Sequence, residues 1–312
     1  MIYFLPYLIM ALGAKGLYQG QATWAGFVIL FVIFPIVELL FRNSKMQKRP
    51  AYADYSVILM PFALSLLLSL SLWSAKSMTS GIQLAGLIFS TGALLGGFGI
   101  TSAHELVHRR ASWQRALGVY NLTLVNFAYW GVEHVFGHHR NVSTPEDSAT
   151  ALKDELVYSF WLRNYSGLLK SSYKIAPKKF LSYWLISLLA SALRIIFLGT
   201  KLLLVWFGIS IVAILLLLTV DYIEHYGLVR GKNQTGTYLA FKAEHSWDTD
   251  SPLTNLVLFN LGYHSHHHLR ASLPFLQLEA NDQAKKMPFG YSVMILCALM
   301  PPVFFKIMNH KI

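Results

Sequence analysis

The sequence predicts an all-α protein that crosses a membrane several times as a single domain, residues 1–312. Of the 312 residues, 54% are hydrophobic and only 13% are charged, about half of the roughly 25% charged residues typical of soluble domains. The hydrophobic residues form runs close to the ~20 residues that a helix needs to cross the hydrocarbon core of a bilayer. Low charge and long apolar runs together favour a polytopic membrane helical bundle.

We predict about six transmembrane helices in this bundle. They cover residues 2–17, 22–41, 54–74, 82–103, 181–199 and 201–223. Two further apolar stretches, 116–132 and 289–305, are shorter or interrupted by polar residues and proline, so we expect them to lie at the interface or against the bundle. GALLGGFG (92–99) contains a GxxxG spacing, which predicts close packing between helices.

The basic residues are distributed unevenly over these six helices. Lys15, Lys76, Arg194 and Lys201 lie in or beside the short connections on one side, and the other 22 of the 26 lie on the opposite side, including RNSKMQKR (42–49). By the positive-inside rule, that second side is the cytoplasmic side of the inner membrane, and both termini lie on it. The net charge of +11 is then explained by the membrane topology and by attraction of the basic side to anionic lipids. Nucleic-acid binding is disfavoured, because the basic residues are not interleaved with aromatic residues as in a nucleic-acid-binding fold.

Ten of the twelve histidines, His266 among them, fall in four short groups at or near the cytoplasmic ends of the predicted helices. The groups are HELVH with His104 and His108, EHVFGHH with His134, His138 and His139, DYIEHYGL with His225, and HSHHH with His264, His267 and His268. On a helix, spacing i, i+4 places two side chains on one face, so His104 and His108 can share a metal ion. The same spacing recurs for His134 and His138, with His139 directed elsewhere.

The four groups together predict a metal site, whereas any one of them alone would be weak evidence for it. Burying several imidazoles without partners is costly, and a shared metal removes that cost. The single cysteine, Cys297, offers no Cys pair for zinc or an iron–sulfur centre, so the ligands must be nitrogen or oxygen. Nine histidines exceed the four ligands of a closed zinc site and indicate two metals, but imidazole suits zinc, copper, iron and nickel alike.

These motifs give the sequence its resemblance to a known family. From about residue 22 onward it resembles the membrane alkane hydroxylases (alkane 1-monooxygenases), within the histidine-box membrane desaturases and hydroxylases. HELVHRR (104–110), EHVFGHHRNVSTPED (133–147), DYIEHYGL (221–228), HSW (245–247), TNLVLFNLGYHSHHH (254–268) and the tail GYSVMILCALMPPVFFKIM (290–308) follow the family's order. The last box departs from the family's LQRHSDHH: Gly262 and Tyr263 replace Gln-Arg, and His266 replaces Asp.

The resemblance implies a di-iron site with nine histidine ligands. Carried over motif by motif, they are His104, His108, His134, His138, His139, His225, His264, His267 and His268. Supporting groups usually orient ligating histidines through the other ring nitrogen. The nearby candidates are Asp147, Glu105, Glu133, Asp221, Glu224 and His245. If its segment is helical, His266 points away from its neighbours.

The resemblance implies a monooxygenase that hydroxylates a terminal methyl group of a hydrocarbon, most simply an n-alkane, with O2 and two electrons. The substrate would come from the bilayer. The sequence has no flavin, NAD or iron–sulfur site of its own, so rubredoxin or a ferredoxin-type carrier would supply electrons. HELVHRR and HYGLVR also look like the xylene-type methyl hydroxylases, whereas EHVFGHH and TPED favour the alkane branch.

Two alternatives remain open at this point. A fatty-acyl desaturase or a ring hydroxylase shares the three-box spacing, although the His225 motif and the C-terminal resemblance argue against both. A membrane metal transporter or metal-binding scaffold would place ionisable residues along a path at mid-membrane, whereas these histidines lie at helix ends.

Overall fold

The computed structural model describes residues 4–18, 22–41 and 50–312, so the basic segment 42–49 lies outside the described residues. The first nine helices are α1 (Leu5–Tyr18), α2 (Ala25–Leu40), α3 (Ala51–Ser77), α4 (Gly81–Val107), α5 (Ser112–Thr123), α6 (130–141), α7 (Val157–Ile175), α8 (Pro177–Leu198) and α9 (Thr200–His225). Four more helices follow: α10 (Pro252–Val257), α11 (His264–Leu269), α12 (Tyr291–Ala298) and α13 (Pro301–Met308). Strands β1 (Trp247–Asp248) and β2 (Lys285–Lys286) form a small parallel pair. The predicted all-α class is confirmed.

Four of these helices, α3, α4, α8 and α9, are long and apolar enough to cross a membrane. They correspond to the predicted spans 54–74, 82–103, 181–199 and 201–223. The two N-terminal predictions correspond to shorter apolar helices, Leu5–Ala14 within α1 and Ala25–Leu40. No residue of α8 is buried, so this apolar helix presents its side chains outward, as a lipid-facing helix does.

The glycines of GALLGGFG bring α4 against α9. A Cβ atom at Gly92 would lie 2.8 Å from the carbonyl oxygen of Ile209, and one at Gly96 would lie 3.0 Å from the Cα of Ala213. The predicted close packing is therefore confirmed, because only glycine leaves room for the neighbouring backbone.

The end of α3 and the start of α9 lie together. The Lys201 ammonium donates to the carbonyl oxygens of Met78, at 2.6 Å, and Lys76, at 3.2 Å. Two of the four basic residues assigned to the less basic side are therefore neighbours in space. The histidine-bearing residues 104–108 and His225 lie at the other ends of α4 and α9.

Three of the helices in the described part of the chain contain a π-helical segment. These segments are Ile29–Ile33 in α2, Leu95–Ile100 in α4 and His134–His138 in α6. A π segment hydrogen-bonds i to i+5 rather than i to i+4, and such segments are frequent at functional sites. All three contribute residues to the same internal cavity.

The apolar stretches 116–132 and 289–305 pack against the bundle, as expected. In the first, Leu122, Phe127 and Trp130 are buried. In the second, Met294 and Phe304 are buried in a core shared with the C-terminal half of α9.

Candidate metal centre

The nine histidines converge on two adjacent groups. The first group, called A below, contains His104, His108, His134, His139 and His267, and the second, B, contains His138, His225, His264 and His268. Within each group, one ring nitrogen from every member lies within 4.8 Å of those of all the others. All nine side chains are buried or half-buried.

The local helix geometry decides which histidine joins which group. His104 and His108 in α4 and His264 and His268 in α11 each follow the α-helical i, i+4 rule and share a group. His267, one residue before His268, turns to group A.

Helix α6 departs from the expected pairing. His134 shares group A with His139, five residues later, while His138 turns to group B. The π segment His134–His138 is the physical reason, because its i to i+5 repeat brings residues five apart onto one face.

The ring nitrogens within each group face one another. The Nε2 atom of His264 lies 3.1 Å from that of His225 and 3.0 Å from that of His268. Two nitrogens that bind the same ion, each at roughly 2.1 Å, lie about 3.0 Å apart at a right angle and about 3.4 Å apart at the tetrahedral angle. In the part of the chain that the structure describes, Nε2 of His104 and of His108 are buried without a hydrogen-bond partner. These unpaired acceptors and the all-imidazole donor set fit a metal site.

Burial keeps most of these rings neutral, the form that binds metal. It lowers the pKa of His108 to about 3. Burial also lowers the pKa of His134, His139, His264, His267 and His268 well below the usual value. The reason is that a charged imidazolium in a dry interior is disfavoured.

His138 is the exception because it faces a carboxylate. Its Nδ1 lies 3.0 Å from Oδ2 of Asp147. Burial lowers the pKa of His138, but the Asp147 charge and this hydrogen bond outweigh burial and raise it above its usual value. Asp147 in turn has a lowered pKa, because the attraction of His138 and hydrogen bonds outweigh its burial. With Nδ1 engaged, Nε2 of His138 is the nitrogen left for group B.

Two of the six predicted supporting residues contact a histidine ring in the structure. One is Asp147, and the other is Glu224, whose Oε1 lies 3.3 Å from Nδ1 of His264. The hydroxyl of Tyr291 donates to the same Glu224 oxygen at 2.6 Å. The Asp147 contact is a hydrogen bond that fixes the ring of His138 in group B, whereas Glu224 lies beside the ring of His264 without forming a hydrogen bond to its Nδ1.

The side chains of the other four supporting candidates take different partners in the structure. Glu105 pairs with Arg109 at 2.7 Å and accepts from the Phe275 amide. The carboxylate of Glu133 accepts from Ser171, that of Asp221 accepts from Asn164, and Nδ1 of His245 accepts from the Lys242 amide. Glu133 and Asp221 still raise the pKa of His138 through their charge.

Sequence reasoning missed Asp248, which anchors α11. Its two oxygens accept from the backbone amide of Ser265, at 2.7 Å, and from the Ser265 hydroxyl, at 2.8 Å, directly beside His264. Burial raises the pKa of Asp248 to about 6. Its place one residue after the HSW motif was the only signal in the sequence. His266, as expected, turns away from both groups and accepts from the Glu279 amide.

An apolar cavity leads to the histidines. It is walled mainly by aliphatic and aromatic side chains from α2, α4, α9, α10 and α12, and His104, His134 and His264 line it as well. Because His104 and His134 belong to group A and His264 belongs to group B, the cavity reaches both groups.

Comparison with characterised proteins identifies the family. An alkane 1-monooxygenase of Pseudomonas aeruginosa is 32% identical over 93% of this chain and 84% of its own length. The chain belongs to the alkane 1-monooxygenase family. An alkane 1-monooxygenase of Acinetobacter baylyi is 31% identical, over 92% of this chain and 76% of its own. The hydroxylase component of the xylene/toluene monooxygenase of Pseudomonas putida is 28% identical, over 97% and 86%.

Family membership makes this protein an oxygen-dependent monooxygenase, and it removes the transporter and scaffold alternatives. A broader family model, fatty acid desaturase, matches residues 80–294. That range contains all nine histidines of the two groups. The histidine-rich site of this chain therefore lies within the part shared with the wider group.

Proposed function

We propose that this protein is a single integral-membrane di-iron hydroxylase domain that oxidises a terminal methyl group of a hydrocarbon, an n-alkane first of all. One observation carries the proposal: the apolar cavity ends on His104 and His134 of group A and on His264 of group B. A hydrocarbon in that cavity has one end against both groups.

The nine histidines would hold two iron ions, one in group A and one in group B. Bound iron would supply what an unactivated C–H bond requires, an oxidant made from O2 and two electrons. The protein keeps most of the rings neutral, orients His138 through Asp147, places the Glu224 carboxylate beside His264, and excludes water with its apolar walls. The balance is RH + O2 + 2e⁻ + 2H⁺ giving ROH and water.

The cavity walls fit a substrate that has no polar group. Phe31 and Phe34 of α2, Leu217 of α9 and Val257 of α10 enclose the space, and burial of apolar surface is the attraction they offer. Since hydrocarbons dissolve in the bilayer core, a cavity among apolar helices meets its substrate where the substrate accumulates.

Product analysis tests the reaction. We expect the purified protein with iron, reductant and a carrier to convert decane to 1-decanol, with one oxygen atom from 18O2 detected by mass spectrometry. An alkene instead of an alcohol would identify a desaturase. Conversion of xylene to a benzylic alcohol in preference to decane would identify the xylene-type hydroxylase, the second candidate that the Pseudomonas putida relative favours.

We propose that α1 and α2 complete six spans, with the histidine end and both termini on the cytoplasmic side of the inner membrane. The support is the charge asymmetry of the chain and the position of Lys201 beside the end of α3. In a Cys297→Ser background, an exposed cysteine at Thr200→Cys should react with an impermeant maleimide from outside. A cysteine at Lys311→Cys should react only after the membrane is opened; the reverse pattern would invert the topology.

We propose that a rubredoxin or a ferredoxin-type protein delivers the electrons to the cytoplasmic face. The net charge of +11 would attract an acidic carrier over long range. The rate of electron transfer from such a carrier should therefore fall several-fold when the salt concentration rises from about 0.05 to 0.5 M, because salt screens exposed charges. Stopped-flow reduction kinetics measure this, and a rate independent of salt would contradict electrostatic docking.

A further inference from the structure

Glu38 is a buried carboxylate that the metal site does not use. It lies in the apolar run FPIVELL of α2, and only 4% of it is exposed. A charged side chain in such a helix is costly and usually has a function. No basic side chain in the described part of the chain forms an ion pair with it.

Neutral donors surround this carboxylate instead. Its Oε1 accepts from the hydroxyl of Ser251, at 2.6 Å, and from that of Thr254. Its Oε2 accepts from the backbone amide of Ser292, at 3.1 Å, and from the Ser292 hydroxyl. Gly290 passes so close that a Cβ atom there would overlap Oε1 of Glu38.

Glu38 lies where two cavities meet. It lines the apolar cavity that ends at the histidines, as Thr254 and Ser292 also do. It also lines a second cavity, whose walls include the charged residues Asp250 and Lys286. The carboxylate and its hydroxyl donors therefore form a polar partition between an apolar space and a space with charged walls.

We propose that Glu38, with Ser251, Thr254 and Ser292, forms a hydroxyl-binding site that takes the alcohol product from the apolar cavity toward the polar one. The inference rests on the proposed hydroxylation of a hydrocarbon. It adds a binding site for the product, separate from the two histidine groups.

Hydrogen-bond exchange gives this site its selectivity. An alcohol donates to the carboxylate and accepts from a serine or threonine hydroxyl, so it can replace one of the existing donors without leaving a group unpaired. An alkane can do neither, and entering the partition would strip buried groups of their partners. The partition therefore passes product, retains substrate and keeps water from the apolar cavity.

Binding of labelled ligands to purified protein in nanodiscs tests the proposal. Tritiated 1-decanol and tritiated decane are compared on wild type and on Glu38→Leu. We expect the affinity for 1-decanol to fall by about tenfold or more, the effect of losing a hydrogen bond to a charged group, and the affinity for decane to stay within about twofold. Glu155→Gln is the matched control, because Glu155 accepts from Arg163 and lines neither cavity.

Two further variants keep the proposal testable if Glu38→Leu does not fold. Glu38→Gln and Ser292→Ala keep the size of the partition, and each should weaken 1-decanol binding selectively; iron content and thermal unfolding report whether they fold. If the affinities for both ligands fall equally, or if the affinity for 1-decanol does not fall, the proposal is overturned. Glu38 would then serve only to hold α2 against α12.

Kinetics test the direction of product movement. In Glu38→Leu we expect an unchanged single-turnover yield of 1-decanol but a slower steady state with an initial burst, because release becomes limiting. Weaker 1-decanol binding with an unchanged steady-state rate would overturn the exit route. Failure of the hydroxylation itself is distinguishable, since wild type would then form no 1-decanol.

Discussion

Replacing His267 or His138 with alanine is expected to reduce bound iron from two ions per chain to one or fewer and to abolish hydroxylation. His267 belongs to group A and His138 to group B, so each variant opens a different group. The loss of activity should exceed the roughly 10–100-fold that removal of a supporting residue costs in metalloenzymes, because a ligand itself is lost. Metal analysis of the purified protein, with product formation measured in parallel, checks both variants.

The matched control for this experiment is His266→Ala. His266 lies in the same helix, one residue before His267, but it faces away from both groups and accepts from the Glu279 amide. This variant should retain two irons and near-normal activity. A wild-type protein that holds one zinc ion per chain, or a His266→Ala variant as impaired as His267→Ala, would contradict the di-iron assignment.

The histidine spacing predicted much of the candidate site because most of it lies on regular α-helix. In α4 and α11, residues four apart face the same way, and the pairs His104–His108 and His264–His268 share a group as that rule requires. The rule does not apply in α6, where the π segment places His134 with His139. No residue pattern in EHVFGHH signals a π segment, since its hydrogen bonds depend on what packs around the helix.

The supporting residues were less predictable for a similar reason. Sequence proximity brings a carboxylate near a histidine, but it does not determine which way the side chain turns. Asp147 and Glu224 turn toward a ring, whereas Glu105 turns to Arg109. Asp248 acts from a two-residue strand whose partner, β2, lies almost forty residues later, and such a non-local contact leaves no local pattern.

The predicted spans match the four long helices to within a few residues at most ends. Helix α4 continues to Val107 rather than ending at 103, because HELVH extends the same helix out of the apolar run. A hydropathy profile detects only the apolar part of a helix, so the end predicted for α4 comes too early. For a similar reason, a hydropathy average over α2 does not single out Glu38, which is one acidic residue among apolar neighbours.

Asp147→Asn is expected to weaken iron binding by about 10–100-fold, the usual effect of losing a supporting carboxylate. Asp147 holds Nδ1 of His138, and it is itself fixed by the Thr150 hydroxyl at 2.6 Å and the Ala149 amide at 3.0 Å. Asparagine keeps the shape but removes the charge, so His138 loses both orientation and basicity. Competition with a chelator measures the affinity of the retained iron.

Glu146→Gln is the control that separates position from charge alone. Glu146 is the adjacent acidic residue, but it is exposed, so the surrounding water screens its charge. Its variant should bind iron as tightly as wild type. If both variants weaken binding equally, a general loss of negative charge would explain the effect; if Asp147→Asn binds normally, the contact with His138 would not support the metal. A selective loss in Asp147→Asn alone would show that one buried carboxylate, held by two further hydrogen bonds, fixes a histidine of group B.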